Sequence, residues 1–229
     1  MIKLGIIGYG GMAHWHAENA PKTGVVQVVA AYDLDPSRLK EAMDNGWRAY
    51  EDLESFLTDE EVNVVLVATP NHVHRYLSIM ALRAGKHVVC EKPVTLSVAD
   101  LDEIMAVARE CGRIFTVHQN RRWDRDYRIA RKAIETGMIG KPVSIESRVV
   151  GSNGILHGWR SIREYGGGML YDWGVHIIDQ ILDMYPDKKI TSVFCRFSSI
   201  FNKDVDDYNK IVLTFEDGML AQLEVNMYS

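Results

Sequence analysis

Short apolar runs rich in β-branched residues alternate with amphipathic stretches from residue 1 to about residue 120, which is how a parallel sheet joined by crossover helices reads. Ile2 to Ile7, Val25 to Tyr32, Val62 to Val67, His87 to Cys90 and Ile114 to His118 predict five strands. Asp35-Pro36 predicts an N-cap followed by proline at the first helical position, and Ser97 with Asp100 resembles a capping box. Gly85 and Gly112 stand where helices stop. Beyond residue 120 the pattern changes to a helix over Asp124 to Thr136, a strand over Pro142 to Val150, a Gly/Ser/Asn-rich connection and a helix over Gly168 to Met184. Three strand-like segments follow, Ile190 to Ser199, Tyr208 to Phe215 and Met219 to Tyr228. The expected fold is α/β: a doubly wound parallel sheet over residues 1–120, then an α+β domain with an antiparallel sheet over residues 121–229. Its last strand runs to Ser229, so this second domain reads as an incomplete piece of a longer protein.

Composition narrows the classes. With 47% hydrophobic and 25% charged residues in 229, the chain is an ordinary globular one of about two domains. A net charge of -5 argues against a nucleic-acid partner, which needs a concentrated basic surface. One basic cluster, Arg121, Arg122, Arg125, Arg128, Arg131 and Lys132, is interrupted by Asp124 and Asp126 and reads as a mostly solvated helix face. Cys90, Cys111 and Cys195 are odd in number and widely spaced, suiting neither a disulfide framework nor a zinc site. No metal is expected, and a reducing compartment is. The apolar start Ile2 to Ile7 is too short for a signal-peptide core, and no apolar run reaches membrane-helix length. The cytoplasm is the expected location, with no membrane partner.

The first strand ends in Gly8-Tyr9-Gly10-Gly11-Met12-Ala13, a G-x-G-x-x-A turn between a strand and a helix, which is the context of a dinucleotide-binding Rossmann domain. Gly8 permits the tight turn, Gly10 lets a pyrophosphate approach the backbone, and Ala13 allows helix to pack on strand, while free N–H groups at the helix start face the anion. Asp33 ends the second strand, where a carboxylate accepts bonds from ribose hydroxyls and repels a 2′-phosphate. Leu34 follows it rather than an Arg or Lys, so NAD is expected ahead of NADP. Arg38 either stacks on the adenine or is a surface arginine. Thr69-Pro70-Asn71 and Glu91-Lys92-Pro93 follow two further strands, at the ends where an open α/β sheet places its ligands. Asn71 also suits an N-cap for the stretch from His72 onward.

Lys92 lies between an apolar strand and Pro93, which holds its backbone extended and delivers its amine to one place. Gly166-Gly167-Gly168 reads as a hinge opening the later helix. At about 100° per residue Asp172, His176, Asp179 and Asp183 share a narrow arc, opposite Ile177, Ile178, Ile181, Leu182 and Tyr185. Such a stripe is ordinarily a solvated face; here the preceding glycines, and Asp172 one turn before His176, point to chemistry. Oxidation of a secondary alcohol removes the hydroxyl proton as hydride leaves the same carbon. His176 suits the base, Asp172 can orient it, and Lys92 can stabilise the developing alkoxide.

Together these motifs resemble the Gfo/Idh/MocA oxidoreductases. The resemblance runs from Gly8 to Asp179 through the glycine turn, Thr69-Pro70-Asn71 with His74, Glu91-Lys92-Pro93, and Gly167-Gly168 followed by Asp172 and His176. It implies a Rossmann domain followed by an open-sheet substrate domain, with Lys92, Asp172 and His176 in the positions of the family's catalytic lysine, aspartate and histidine. It also implies a polyol or sugar substrate (a sugar, sugar acid or inositol-like cyclitol), and a homodimer or homotetramer when full length. Gly8, Gly10, Gly11, Met12, Ala13, Asp33, Arg38, Thr69, Pro70, Asn71 and Glu91 are the expected cofactor contacts. Asn153, Trp159, Arg160 and Tyr165, in the loop before the catalytic helix, are candidate sugar contacts, Trp159 equally a packing residue. A non-catalytic NAD-binding regulator or subunit is the alternative, and an NAD-assisted glycosidase a third reading.

Overall fold

Six parallel strands organise the first part of the chain: β1 (Ile2–Ile7), β2 (Val26–Tyr32), β3 (Arg48–Tyr50), β4 (Val64–Val67), β5 (His87–Cys90) and β6 (Phe115–Val117). Their order is β3-β2-β1-β4-β5-β6, two halves that reverse direction between β1 and β4, where an open α/β sheet binds its ligand. The computed structural model describes residues 1–151 and 156–228, and the chain divides into two units, Met1–His118 and Gln119–Ser229. In the first, the helices are α1 (Gly11–Asn19), α2 (Pro36–Asp44), α3 (Leu53–Leu57), α4 (His74–Arg83) and α5 (Val98–Glu110). The sheet is buried on both faces because alternate residues feed two cores. Ile6 and Leu66 join one with Ala13 and Ala42, while Ile7, Val65 and Val67 join the other with Phe56, Leu82 and Ile104. Phe56 is fully buried, a contribution of about 2–3 kcal/mol. Asp35 and Ser97 cap their helices as expected, accepting the Ser37 and Asp100 N–H groups at 2.9 and 3.2 Å. Strand β3 was not expected: it pairs three residues with Ala30–Tyr32 at the sheet edge, too short a run to show a period.

The second unit holds α6 (Arg125–Glu135), β7 (Ser144–Val150), a π-helical turn over Leu170–Gly174 that runs into α7 (Val175–Met184), and β8 (Ile190–Ser198), β9 (Tyr208–Phe215) and β10 (Leu220–Asn226). Its sheet has the order β7-β10-β9-β8. The expected antiparallel pairing holds for β8 with β9 and β9 with β10. Strand β7 pairs with β10 in parallel, which the long intervening segment permits, so the sheet is mixed. Ile177 and Ile181 of α7 share a core with Ile211, Leu213, Phe215, Leu223 and Val225. Most of the basic stretch is exposed, as expected, but two of its arginines pair with the acidic stripe of α7. Arg122 grips Asp179 through Nε and Nη2 at 2.8 and 2.6 Å and reaches Asp183 at 3.2 Å, while Arg131 bonds Asp183 at 2.6 Å. Sequence shows a polar stripe but not which oppositely charged helix faces it. Leu182, assigned to the apolar side, is 43% exposed.

Candidate active site

The glycine turn closes at the ends of β1, β2 and β4. Gly8 has φ 86, and a side chain there would meet Thr69 Cγ2 at 2.7 Å and the Ala68 carbonyl at 2.9 Å, so only glycine fits. The Tyr9 N–H donates to Asp33 Oδ2 at 2.6 Å, the Asp35 N–H donates to Asp33 Oδ1 at 2.9 Å, and Arg38 Nη1 lies 3.3 Å from Oδ2. Asp33, itself buried, is thereby fixed against the turn. Helix α1 starts at Gly11 with Gly10 as its N-cap and no side-chain cap. A Cβ at Gly11 would meet nothing within 4 Å, and one at Gly10 only Arg38 Nη1 at 3.6 Å. Uncapped N–H groups under open space fit a bound phosphate. Ala13 is fully buried, which lets the helix lie close on the sheet. Gly8, Thr69, Asp33 and Arg38 thus converge on one place.

Asn71 is buried and opens a short 3₁₀ turn, Asn71–Val73, ahead of α4. His74 is fully buried with Nδ1 2.8 Å from the Pro93 carbonyl and Nε2 2.9 Å from the Thr69 carbonyl, tying the segments after β4 and β5 together. Burial holds its pKa below the ordinary imidazole value, against the pull of both carbonyls.

Glu91, expected among the cofactor contacts, is 5% exposed. Its Oε1 lies 2.7 Å from His16 Nε2 of α1 and 3.0 Å from His118 Nδ1 just after β6. The physical reason is that a carboxylate buried at a strand end needs hydrogen-bond donors, and the two imidazoles supply them. Burial alone would raise its pKa, but the bonds from His118 and His16 outweigh this and hold it at about 2. The two ring nitrogens and the carboxylate oxygen lie within 4.8 Å of one another, with both nitrogens converging on Glu91 Oε1. The half-buried Lys92 follows directly, its N–H donating to Glu91 Oε2 at 3.3 Å. Sequence reasoning missed His16 and His118, although Glu91 and His118 end neighbouring strands and that adjacency was available.

In the second unit, Gly168 has φ 110, and a side chain there would run into the Asp206 carboxylate. Asp206 in turn accepts the Leu170 N–H at 2.9 Å and, through its carbonyl, the Met169 N–H at 2.9 Å. The segment expected as one α-helix therefore starts as a π-helical turn holding Asp172, then becomes α at Val175. Asp172 Oδ1 lies 3.3 Å from Arg160 Nε. His176 is 4% exposed, so it lies on a buried face rather than an open polar one. Its ring packs edge-on to Trp173 at 6.0 Å, and the Arg121 guanidinium lies 4.0 Å over the Trp173 ring. Trp159 carries Arg160 over its ring at 4.5 Å, and Tyr165 is exposed. Asn153 lies outside the described residues. Lys92 belongs to the first unit, Asp172 and His176 to the second.

Residues 2–119 match the profile of the GFO_IDH_MocA oxidoreductase family, NAD-binding Rossmann fold, and residues 127–229 that of the GFO/IDH/MocA C-terminal domain. An uncharacterized oxidoreductase of Schizosaccharomyces pombe is 34% identical over 172 residues, 72% of this chain and 46% of its own length. Myo-inositol 2-dehydrogenase of Thermotoga maritima is 29% identical and 1,5-anhydro-D-fructose reductase of Ensifer adhaerens 31%, each over 97% of this chain and 68% of its own. The chain thus spans from about half to about two thirds of the length of these relatives. The crystal structure of an NAD-binding protein from Listeria innocua superposes with a TM-score of 0.96 at 44% identity, over 99% of this chain and 67% of that one. Among the described residues no helix is long and apolar enough to cross a membrane.

Proposed function

The chain belongs to the Gfo/Idh/MocA oxidoreductase family, and on that premise we propose that it oxidises a hydroxyl of a sugar, sugar acid or cyclitol with NAD. Bound NAD supplies the hydride acceptor. The N–H groups at the start of α1 hold the pyrophosphate over Gly10 and Gly11, with Thr69, Pro70 and Asn71 lining the site. Asp33 accepts the ribose hydroxyls with the lone pairs left beyond its bonds to Tyr9 and Asp35, and disfavours a 2′-phosphate. Arg38, beside Asp33 and Gly10, covers the adenine side. His176 takes the hydroxyl proton, Asp172 orients it, and Lys92 stabilises the alkoxide oxygen. Arg160, held on Asp172, contacts substrate hydroxyls. The exposed Phe194 of β8, paired with Val212 on the sheet face opposite Ile211 and Leu213, supports a homodimer or homotetramer packed through the second sheet, and the site class suits the cytoplasm.

The observation that carries the reading is the open, uncapped start of α1 set against the buried carboxylate of Asp33. A screen of inositols, hexoses and sugar acids with NAD and NADP, read as reduced nicotinamide, identifies the substrate. With that substrate His176→Ala lowers turnover by about 10²- to 10⁴-fold while NAD affinity stays within about twofold. Unchanged turnover refutes the assignment of the base.

A further inference from the structure

We infer that Asp206 is a positioning residue for the oxidation: it clamps the start of the π-helical turn, and through that turn fixes where Asp172 stands relative to His176. The inference rests on the functional reading above. A helix start leaves N–H groups without partners inside the helix, and neither the turn nor α7 has a side-chain cap from its preceding residue. A residue 36 positions along the chain supplies what is missing. Asp206 takes the Met169 N–H on its carbonyl and the Leu170 N–H on Oδ2, both at 2.9 Å. Its Oδ1 lies against Gly168, where φ 110 and the lack of a side chain allow the approach. The same glycine ties in the preceding loop: its N–H donates to the Arg160 carbonyl at 3.0 Å, and Arg160 Nε reaches back to Asp172 Oδ1 at 3.3 Å. Asp206, Gly168, Arg160 and Asp172 form one connected set within the second unit. A π-helical turn winds more widely than an α-helix and is found mostly at functional sites, so the angle from Asp172 to His176 depends on what holds the turn open. The cost of Asp206 sets it apart from a packing group. It is half-buried, Asn209 Nδ2 donates to it at 3.0 Å, and no cation pairs with it among the described residues. Burial, with Asp207 alongside, raises its pKa against the bonds from Asn209 and Leu170. A carboxylate so placed costs stability, and such costs persist where the chemistry needs the geometry they hold.

The test combines amide hydrogen exchange by NMR with steady-state kinetics on the whole chain, in the wild type, Asp206→Ala and Asp206→Asn. In the wild type the Met169 and Leu170 amides should exchange about 100-fold more slowly than in an unfolded chain; exchange at the unfolded rate overturns the inference with no variant needing to fold. In Asp206→Ala exchange over residues 169–174 should rise about tenfold while that of residues 178–184 stays as it was. With the substrate found in the screen, kcat should fall about 10- to 100-fold, KM move by less than about threefold and NAD affinity by less than about twofold. Asp206→Asn keeps an acceptor oxygen for the Leu170 N–H and should bring kcat back to within about threefold of the wild type. A purely structural role lowers the folded fraction but not kcat per folded molecule. Wild-type exchange in the turn of Asp206→Ala, an unchanged kcat in that variant, or an Asn variant no more active than the Ala one overturns the inference. Turnover that ignores Asp206 removes this inference alone, whereas a wild type that oxidises nothing in the screen removes the functional reading with it.

Discussion

Glu91→Gln keeps the shape of a side chain that is 5% exposed and removes its charge. In the folded protein burial works against ionisation, but the bonds from His118 and His16 win and hold the carboxyl at about 2, below its ordinary 4.5. The folded state therefore binds this proton less tightly than the unfolded chain. The resulting stability is fully present above about pH 4.5 and is lost as the pH falls toward 2. At 1.36 kcal/mol per pH unit the difference amounts to about 3 kcal/mol. Glutamine retains one acceptor oxygen for the imidazoles, so the expected loss at pH 7 is about 2–3 kcal/mol. By pH 3 about 2 kcal/mol of the wild-type advantage has gone, and the two proteins should differ by only about 1 kcal/mol. Urea denaturation followed by circular dichroism at pH 7, 5 and 3 measures both differences. A gap that is equal at pH 3 and pH 7, or below about 0.5 kcal/mol at pH 7, refutes the argument that the imidazoles stabilise an ionised Glu91.

Gly168→Ala places a side chain at φ 110 against the carboxylate that holds the Leu170 N–H; it should cost about 2–4 kcal/mol, and an unchanged urea midpoint contradicts this. Asp33→Ala removes the ribose acceptor and the partner of the Tyr9 N–H. NAD affinity should fall about tenfold or more and the preference over NADP narrow, as titration with both cofactors would show. Arg122→Ala leaves Asp179, 16% exposed at its side chain, without its bidentate partner. The expected loss is about 1–2 kcal/mol, and a double-mutant cycle with Asp179→Ala yielding a coupling under about 0.3 kcal/mol rejects the pair as a stabilising contact.

What the sequence could and could not disclose follows from the range of each signal. Strands β1, β5 and β9 run from the first to the last residue expected of them, because buried strands read as apolar runs bounded by turn residues, a purely local pattern. Helical phase is less secure. Placing Asp172 and His176 on one arc assumes uniform α winding, and the π-helical turn over Leu170–Gly174 breaks that assumption just where the chemistry is proposed. The polar stripe through Asp179 and Asp183 was legible, but its partners come from α6, and a stripe facing water looks the same in sequence as one facing arginines. Glu91 shows the limit most clearly. Its place at a strand end was readable, and parallel strand order sets it beside His118, since β5 and β6 are neighbours. His16 was not reachable in this way. Helix α1 connects β1 to β2, in the other half of the sheet, so nothing in the connectivity directs it toward β5. The side-chain direction of a strand-end residue is decided by whichever buried donor completes its hydrogen bonds, and for Glu91 that donor lies 75 residues away in the chain.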